Sequence, residues 1–237
     1  MGTVYNYSPF NYKIIRRKRK TIGIKITEGG EIVVISPLNI DKKVVDAVVK
    51  SKEKWIKNKL TEINEARITY KSIEFKSGEK LLYLGENITL EIFQANIMDS
   101  SILISDKLMK VFIGSNQRSK GENIRDLVIN FYKKQAKRIF LERTIAYKDI
   151  IGVYPKRITI KDQKTVWGSC SSKGNLNYNY RLLMAPIEII DYVVVHELCH
   201  LRHMNHSKQY WGVVQSVLPD YEERRQWLKV NGNKLRI

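Results

Sequence analysis

Every histidine of the 237-residue chain falls within one stretch, between positions 196 and 206. The stretch begins His196-Glu197-Leu198-Cys199-His200 and continues through His203 to His206. On an α-helix, positions i and i+4 share a face one turn apart. His196 and His200 can therefore offer two imidazoles to one Zn²⁺ at about 2.0–2.1 Å each. Glu197, next to the first imidazole, can reach a water held by such an ion and take its proton as a general base. Hydrogen-bonded core histidines give no packing reason for so many neighbouring imidazoles, so the cluster reads as a metal site.

The third ligand follows less directly. On a continuing helix His203 would lie about 10 Å beyond His196 along the axis, too far to share the ion. His206 would point to the wrong side unless the helix ends. Asn205 tolerates the left-handed conformation that ends helices and can turn the chain so that His206 folds back. Ser207 can then cap the next helix, which carries Tyr210, Trp211, Val214 and Leu218. A glutamate further on, Glu222 or Glu223, is the rival third ligand.

The elements that must hold these residues can be read outward from the cluster. Pro186 suits a first helical turn, and Glu188 and Asp191 complement the dipole there. Ile187, Ile189, Ile190, Tyr192, Val193, Val194, Val195 and Leu198 are apolar nearly all round, which predicts a buried helix. Upstream, strands are predicted at about 154–162, 165–171 and 175–183, the last two paired across Ser172-Lys173-Gly174. The span 122–149 predicts a long helix. Its inner side would be Ile124, Leu127, Val128, Phe131, Ile139 and Leu141, with Lys133, Lys134, Lys137 and Arg138 outside. Residues 115–121 read as a linker, and 68–113 as four or five short strands. Further back, Ile22, Ile24 and Ile26 alternate before a Gly29-Gly30 turn and a return strand over Ile32–Ile35. One helix is predicted over about 41–66, with Asp41 as its N-cap. The expected division is a β-rich N-terminal region, 1–116, and a catalytic region, 117–237.

Composition narrows the class. Apolar residues make up 43% and charged residues 28%, which argues against disorder, collagen and coiled coil. No apolar run approaches the roughly 20 residues of a membrane span. The N-terminal residues lack the basic-then-apolar order of a signal peptide, so a cytoplasmic location is expected. Two cysteines, Cys170 and Cys199, are too few for a disulfide scaffold and read as reduced thiols. Lys plus Arg exceed Asp plus Glu by 42 to 24, a net charge of +18. The densest run is Arg16-Arg17-Lys18-Arg19-Lys20, followed by Lys42, Lys43, Lys50, Lys52, Lys54, Lys57 and Lys59. Such a surplus can attract DNA, RNA or nucleotides. It can equally be a solvated surface, since no nucleic-acid-binding module accompanies it.

The segments HELCHLRHMNHSKQYW, WGSCSSKGNLNYNYRLLMAP and DYVVVHEL resemble the YgjP-like metal-dependent hydrolases, relatives of the SprT-like and Wss1-like metalloproteases. The resemblance is most specific over about 165–228 and extends to Lys54-Trp55-Ile56. It implies an α+β fold with a zincin-like, gluzincin-type catalytic half, in which an active-site helix lies under a small twisted sheet. It also implies one Zn²⁺ held by His196, His200 and His206, with Glu197 catalytic. Cys199 stands where a small residue is usual and need not disturb the site. By the same resemblance 165–171 is the strand that holds an extended peptide. Trp167, Gly168, Ser169 and Arg181 then become candidate substrate contacts, with Tyr178 and Tyr180 as other groups for an oxyanion or carboxylate. Cys170 could approach the site as a regulatory thiol. The leading expectation is a zinc-dependent metallopeptidase acting on a peptide or protein. The alternatives are a nucleotide phosphohydrolase and a DNA-associated protein with tethered proteolysis. Neither composition nor motif sets the oligomeric state.

Overall fold

The computed structural model of the chain describes residues 3–7, 10–27, 29–69, 73–116, 123–163 and 165–237. It divides into two compact units, Met1–Lys71 and Ser72–Ile237.

In the first unit, strands β1 (Thr3–Tyr7), β2 (Phe10–Arg16), β3 (Gly23–Ile26) and β4 (Ile32–Ser36) form a sheet in the order β1-β2-β4-β3. β3 and β4 pair antiparallel across the glycine turn, as the alternation predicts, and Gly30 takes a φ of 77° there. Tyr12, Ile14, Ile32 and Val34 enter one core with Val45, Val49 and Ile56. The single helix expected over 41–66 is two helices, α1 (Lys42–Ser51) and α2 (Glu53–Thr69). Asp41 caps α1 by accepting from Lys43 N at 2.9 Å. The chain breaks at Lys52, whose φ and ψ are −105° and 10°. Val49 and Ile56 lie on either side of the break and reach the same core, so the apolar periodicity runs through it unmarked.

The second unit contains two sheets. Strands β5 (Lys80–Tyr83), β6 (Glu86–Gln94), β7 (Ser101–Ser105) and β8 (Leu108–Ile113) are ordered β5-β6-β8-β7. Helix α3 (Ile124–Ile151) follows, with Asn123 accepting from Asp126 N at 2.9 Å as N-cap. Strands β9 (Arg157–Lys161), β10 (Gly168–Cys170) and β11 (Asn175–Asn179) form the other sheet, ordered β10-β11-β9. The chain then enters a 3₁₀ turn, Tyr180–Met184, and helices α4 (Ile187–Cys199), α5 (Lys208–Val217) and α6 (Tyr221–Asn231).

The first of these sheets belongs with the second unit rather than with the N-terminal one. Leu81, Leu90, Met109 and Val111 share one core with Tyr132, Leu176 and Val194. The β5–β6 turn is bonded to the 3₁₀ segment, Leu84 N donating to Leu183 O at 2.7 Å and Gly85 N to Met184 O at 3.2 Å. Gly85 has a φ of 84°, and a Cβ there would meet Pro186 Cγ at 2.8 Å. The unit boundary therefore falls at 71/72, whereas the sequence reading places its division at 116/117. The linker expected at 115–121 lies, from 117 onward, outside the described residues.

On α3 the inner face is offset from the expected one. Tyr132, Ala136, Ile139, Phe140 and Thr144 are buried, while Leu141 is exposed. Phe140 stacks on Tyr178 of β11 with centroids 4.5 Å apart. The strand predicted to 183 stops at Asn179. Its side chain accepts from Arg181 N and donates to Gln163 O and Val166 O, which turns the backbone out of the sheet. Among the described residues no helix is long and apolar enough to cross a membrane.

Candidate metal centre

α4 is buried nearly all round, so its polar groups have few places to face. Asp191, buried, accepts two bonds from Arg143 of α3, at 2.5 Å to Nε and 2.8 Å to Nη2. Tyr147 OH donates to the same carboxylate at 3.0 Å. This fork ties α4 to α3. The helix ends at once after Cys199, with His200 as its C-cap residue. It does not continue to Asn205. Leu201 and Arg202 turn, and Ser207 caps α5 by accepting from Tyr210 N at 3.3 Å.

That reversal returns His206 to the helix end. One ring nitrogen each from His196, His200 and His206 lie within 4.8 Å of one another. His196 Nε2 and His206 Nε2 are 3.3 Å apart. Two ligands at about 2.0–2.1 Å from a tetrahedral ion stand roughly 3.3 Å apart, so this pair has the separation zinc requires. His200 Nδ1 lies 3.1 Å from His203 O, a bond that directs its Nε2 lone pair inward when Nδ1 carries the proton. His203 thus contributes its carbonyl, not its ring. Tyr210, fully buried, forms the floor, with its centroid 5.5 Å from His196, 4.7 Å from His200 and 4.9 Å from His206. Its hydroxyl donates to His196 O at 3.0 Å.

The electrostatics suit a cation. Burial, then the neighbouring His200 and His206, pulls His196 down to about 3, so the ring is a neutral donor. Burial likewise lowers His200. Glu197 is buried, and Oε2 has no hydrogen-bond partner among the described residues. Burial pushes its carboxyl up to about 8. Three convergent imidazoles, with His196 and His200 disfavoured as cations by burial, form a donor set that fits a divalent ion.

β10 lies at the edge of its sheet and packs beside α4. A Cβ built on Gly168 would lie 2.6 Å from Glu197 Oε1 and 2.7 Å from its Cγ. The carboxylate occupies the space a side chain would take, so Gly168 is needed for close approach and not only for room. The other predicted contacts are otherwise engaged. Trp167 packs against the core, with Cζ2 3.0 Å from a Cβ placed on Gly232. Ser169 Oγ accepts from Asn177 Nδ2 at 3.1 Å. Arg181 pairs with Asp162 at 3.1 Å, while its buried Nε has no partner among the described residues. Tyr178 and Tyr180 are buried. Burial, with Glu197 nearby, raises Cys170 to about 11, which disfavours a reactive thiolate. Glu222 and Glu223 are exposed on α6 and are not in the nitrogen cluster. Glu222 accepts from Tyr221 OH at 3.1 Å.

In the first unit the basic run 16–20 is exposed throughout. Arg16 Nη1 donates to Leu38 O at 2.9 Å and Ile40 O at 2.8 Å, and Arg19 Nη2 donates to Thr21 Oγ1 at 3.0 Å. Arg17, Lys18 and Lys20 form no ion pair among the described residues.

The motif missed three supports: Tyr210, the Arg143–Asp191 fork and the steric role of Gly168. Tyr210 and Asp191 were legible as apolar-stripe and dipole positions, and only tertiary contact assigns them these tasks.

A mixed α+β unit with a histidine cluster at the end of a buried helix defines a candidate metal-site protein. The chain belongs to the YgjP-like metallopeptidase family: residues 20–231 match its metallopeptidase domain. It is therefore a metal-dependent peptidase acting on peptide or protein. The metallopeptidase zymogen of Pyrococcus abyssi abylysin is 26% identical, aligned over 38% of this chain and 93% of that chain, with a TM-score of 0.35. No curated protein sequence matches the chain.

Proposed function

We propose that the chain is a zinc-dependent peptidase of the zincin type, with His196, His200 and His206 as ligands and Glu197 as general base. The observation that carries this reading is the convergence of three imidazole nitrogens at the end of the helix that also carries Glu197 with its buried, unpartnered Oε2. A bound Zn²⁺ supplies Lewis acidity toward water and toward the peptide carbonyl. Glu197 takes a proton from the attacking water and later delivers it to the leaving amine. Gly168 leaves the space that the Glu197 carboxylate fills, Tyr210 packs against the rings, and Asp191 anchors the helix that carries His196. The free edge of β10 accepts the substrate backbone in extended form.

The test compares four single variants. Glu197→Gln should retain stoichiometric zinc and lose about 10²–10⁴-fold in turnover. His206→Ala should lose zinc, whereas Glu222→Ala and Glu223→Ala should keep it. Full activity in Glu197→Gln would remove Glu197 as the base. Full zinc content in His206→Ala would remove His206 as a ligand.

A further inference from the structure

Two adjacent arginines on α6 have different fates. Arg224 is committed: Nε donates to Asp220 Oδ2 at 2.9 Å and Nη1 to Glu188 O at 3.0 Å, tying α6 to α4. Arg225 is exposed and forms no ion pair among the described residues. Its guanidinium lies over Trp211, 5.1 Å from the ring centroid. Trp211 in turn stacks on His206, with centroids 5.5 Å apart and planes at 21°, and stands 6.0 Å from His196. Tyr221 and Tyr210 hold the indole from other sides, at 5.2 Å and 5.0 Å. Arg225 is therefore a cation held on a rigid aromatic mount, one ring away from the candidate ligands.

We propose that Arg225 is a subsite for a carboxylate of the peptide substrate. The inference rests on the peptidase reading and deepens it by naming a substrate class. A guanidinium lying on an aromatic face still presents its N–H edge, which matches a carboxylate in a two-point hydrogen bond. The nearby acids do not fill this role: Glu222 accepts from Tyr221 OH, and Glu223 forms no ion pair among the described residues. Extended peptide advances about 3.3 Å per residue. Arg225 lies one ring contact beyond His206, so the subsite is assigned to a carboxylate one to three residues from the bond to be cleaved. The ligand is a free C-terminal carboxylate or an Asp or Glu side chain at that distance.

Binding to zinc-loaded Glu197→Gln separates recognition from turnover. Four peptides of one sequence are titrated by calorimetry: one with an internal Asp, its Asn counterpart, each with a free or an amidated C-terminus. The carboxylate that fits should tighten binding about tenfold or more over its amide partner. The internal-Asp and free-terminus arms identify which source it is. In the Glu197→Gln/Arg225→Ala double variant that ratio should fall to near one, Arg225→Lys should restore part of it, and Arg225→Glu should invert it in favour of the amide. Equal binding of all four peptides, or an Arg225→Ala loss shared equally by acid and amide, overturns the proposal. Zinc content and melting temperature, measured on each variant, separate misfolding from impaired recognition. Cleavage by the parent chain without carboxylate preference sinks the subsite and leaves the peptidase reading intact. Carboxylate-selective binding without cleavage does the reverse.

Discussion

The histidine stretch 196–206 and the basic stretch 16–20 are the two densest chemical signals in the sequence, and the fold treats them differently. In the first, three side chains converge on one point, and packing holds each of them: Tyr210 beneath the rings, His203 O on His200, Asp191 and Arg143 behind the helix. In the second, the charges fan outward. Among the described residues only the Arg16 and Arg19 side chains are engaged, with a loop carbonyl pair and a threonine hydroxyl. Directed chemistry needs side chains whose positions are over-determined. Charge density alone supplies a field with no aim.

The comparison breaks first at the metal. His196→Ala should abolish stoichiometric zinc binding and with it peptidase turnover, measured by elemental analysis and peptide cleavage. Chelator treatment of the parent chain should give the same inactive state, restored by added Zn²⁺. Activity that survives complete metal removal would dissolve the contrast, because the histidines would then be another undirected cluster.

The support behind the helix comes next. Asp191→Ala leaves Arg143 and Tyr147 without their shared acceptor. Breaking a largely buried pair costs about 3–5 kcal/mol, and Arg143 is partly exposed, so a value near the lower end is expected. Denaturant unfolding measures it. Replacing both partners together, Arg143→Met with Asp191→Leu, should recover much of that loss, because no charge is then left unpaired.

Gly168→Ala tests how finely the site is aimed. The added methyl would stand 2.6 Å from Glu197 Oε1, so the carboxylate or β10 must shift. A displacement of about 1 Å costs on the order of 10²-fold in rate. Turnover should fall by that order while zinc content stays full. In a Glu197→Gln background the same change should cost little more, since the group it displaces is already disabled. Additive losses in the two backgrounds would mean that Gly168 acts through something other than Glu197.

How much of this was legible follows from distance along the chain. His196, Glu197 and His200 are fixed by one helical turn, so spacing alone names them. His206 needs a chain reversal, which Asn205 and Ser207 suggest. The structure has one, although the helix ends earlier than Asn205 implies, at Cys199. Gly168 against Glu197 and Arg143 against Asp191 join separate elements, and no local pattern encodes such contacts. The same holds for the fold. Hairpins such as β3–β4 and β10–β11 are written in adjacent turn residues. The placement of β5–β8 beside α3 rests on Tyr132 OH reaching Leu82 O at 2.7 Å and on the shared core, so a reading along the chain puts the division of the molecule later than the packing does.

The smallest effects belong to the basic run, and they sharpen the contrast from its other side. Arg16→Ala removes bonds to the carbonyls of Leu38 and Ile40. Hydrogen bonds from a charged group are worth about 1.5–3 kcal/mol, and exposure reduces that to roughly 1 kcal/mol. Lys18→Ala and Lys20→Ala should fall within about 0.5 kcal/mol, as for other open surface positions. Fold stability thus separates a structural cation from free ones within the same short run. The free ones then have a second test. If they hold a polyanion, single-stranded or duplex DNA will bind with an affinity that falls with salt. Removing Arg17, Lys18 and Lys20 together will then flatten the log–log slope by about 0.7–0.9 for each phosphate no longer neutralised. A slope that the triple variant leaves unchanged would mean that these charges act only as solvated surface, and the undirected member of the comparison would have no ligand at all.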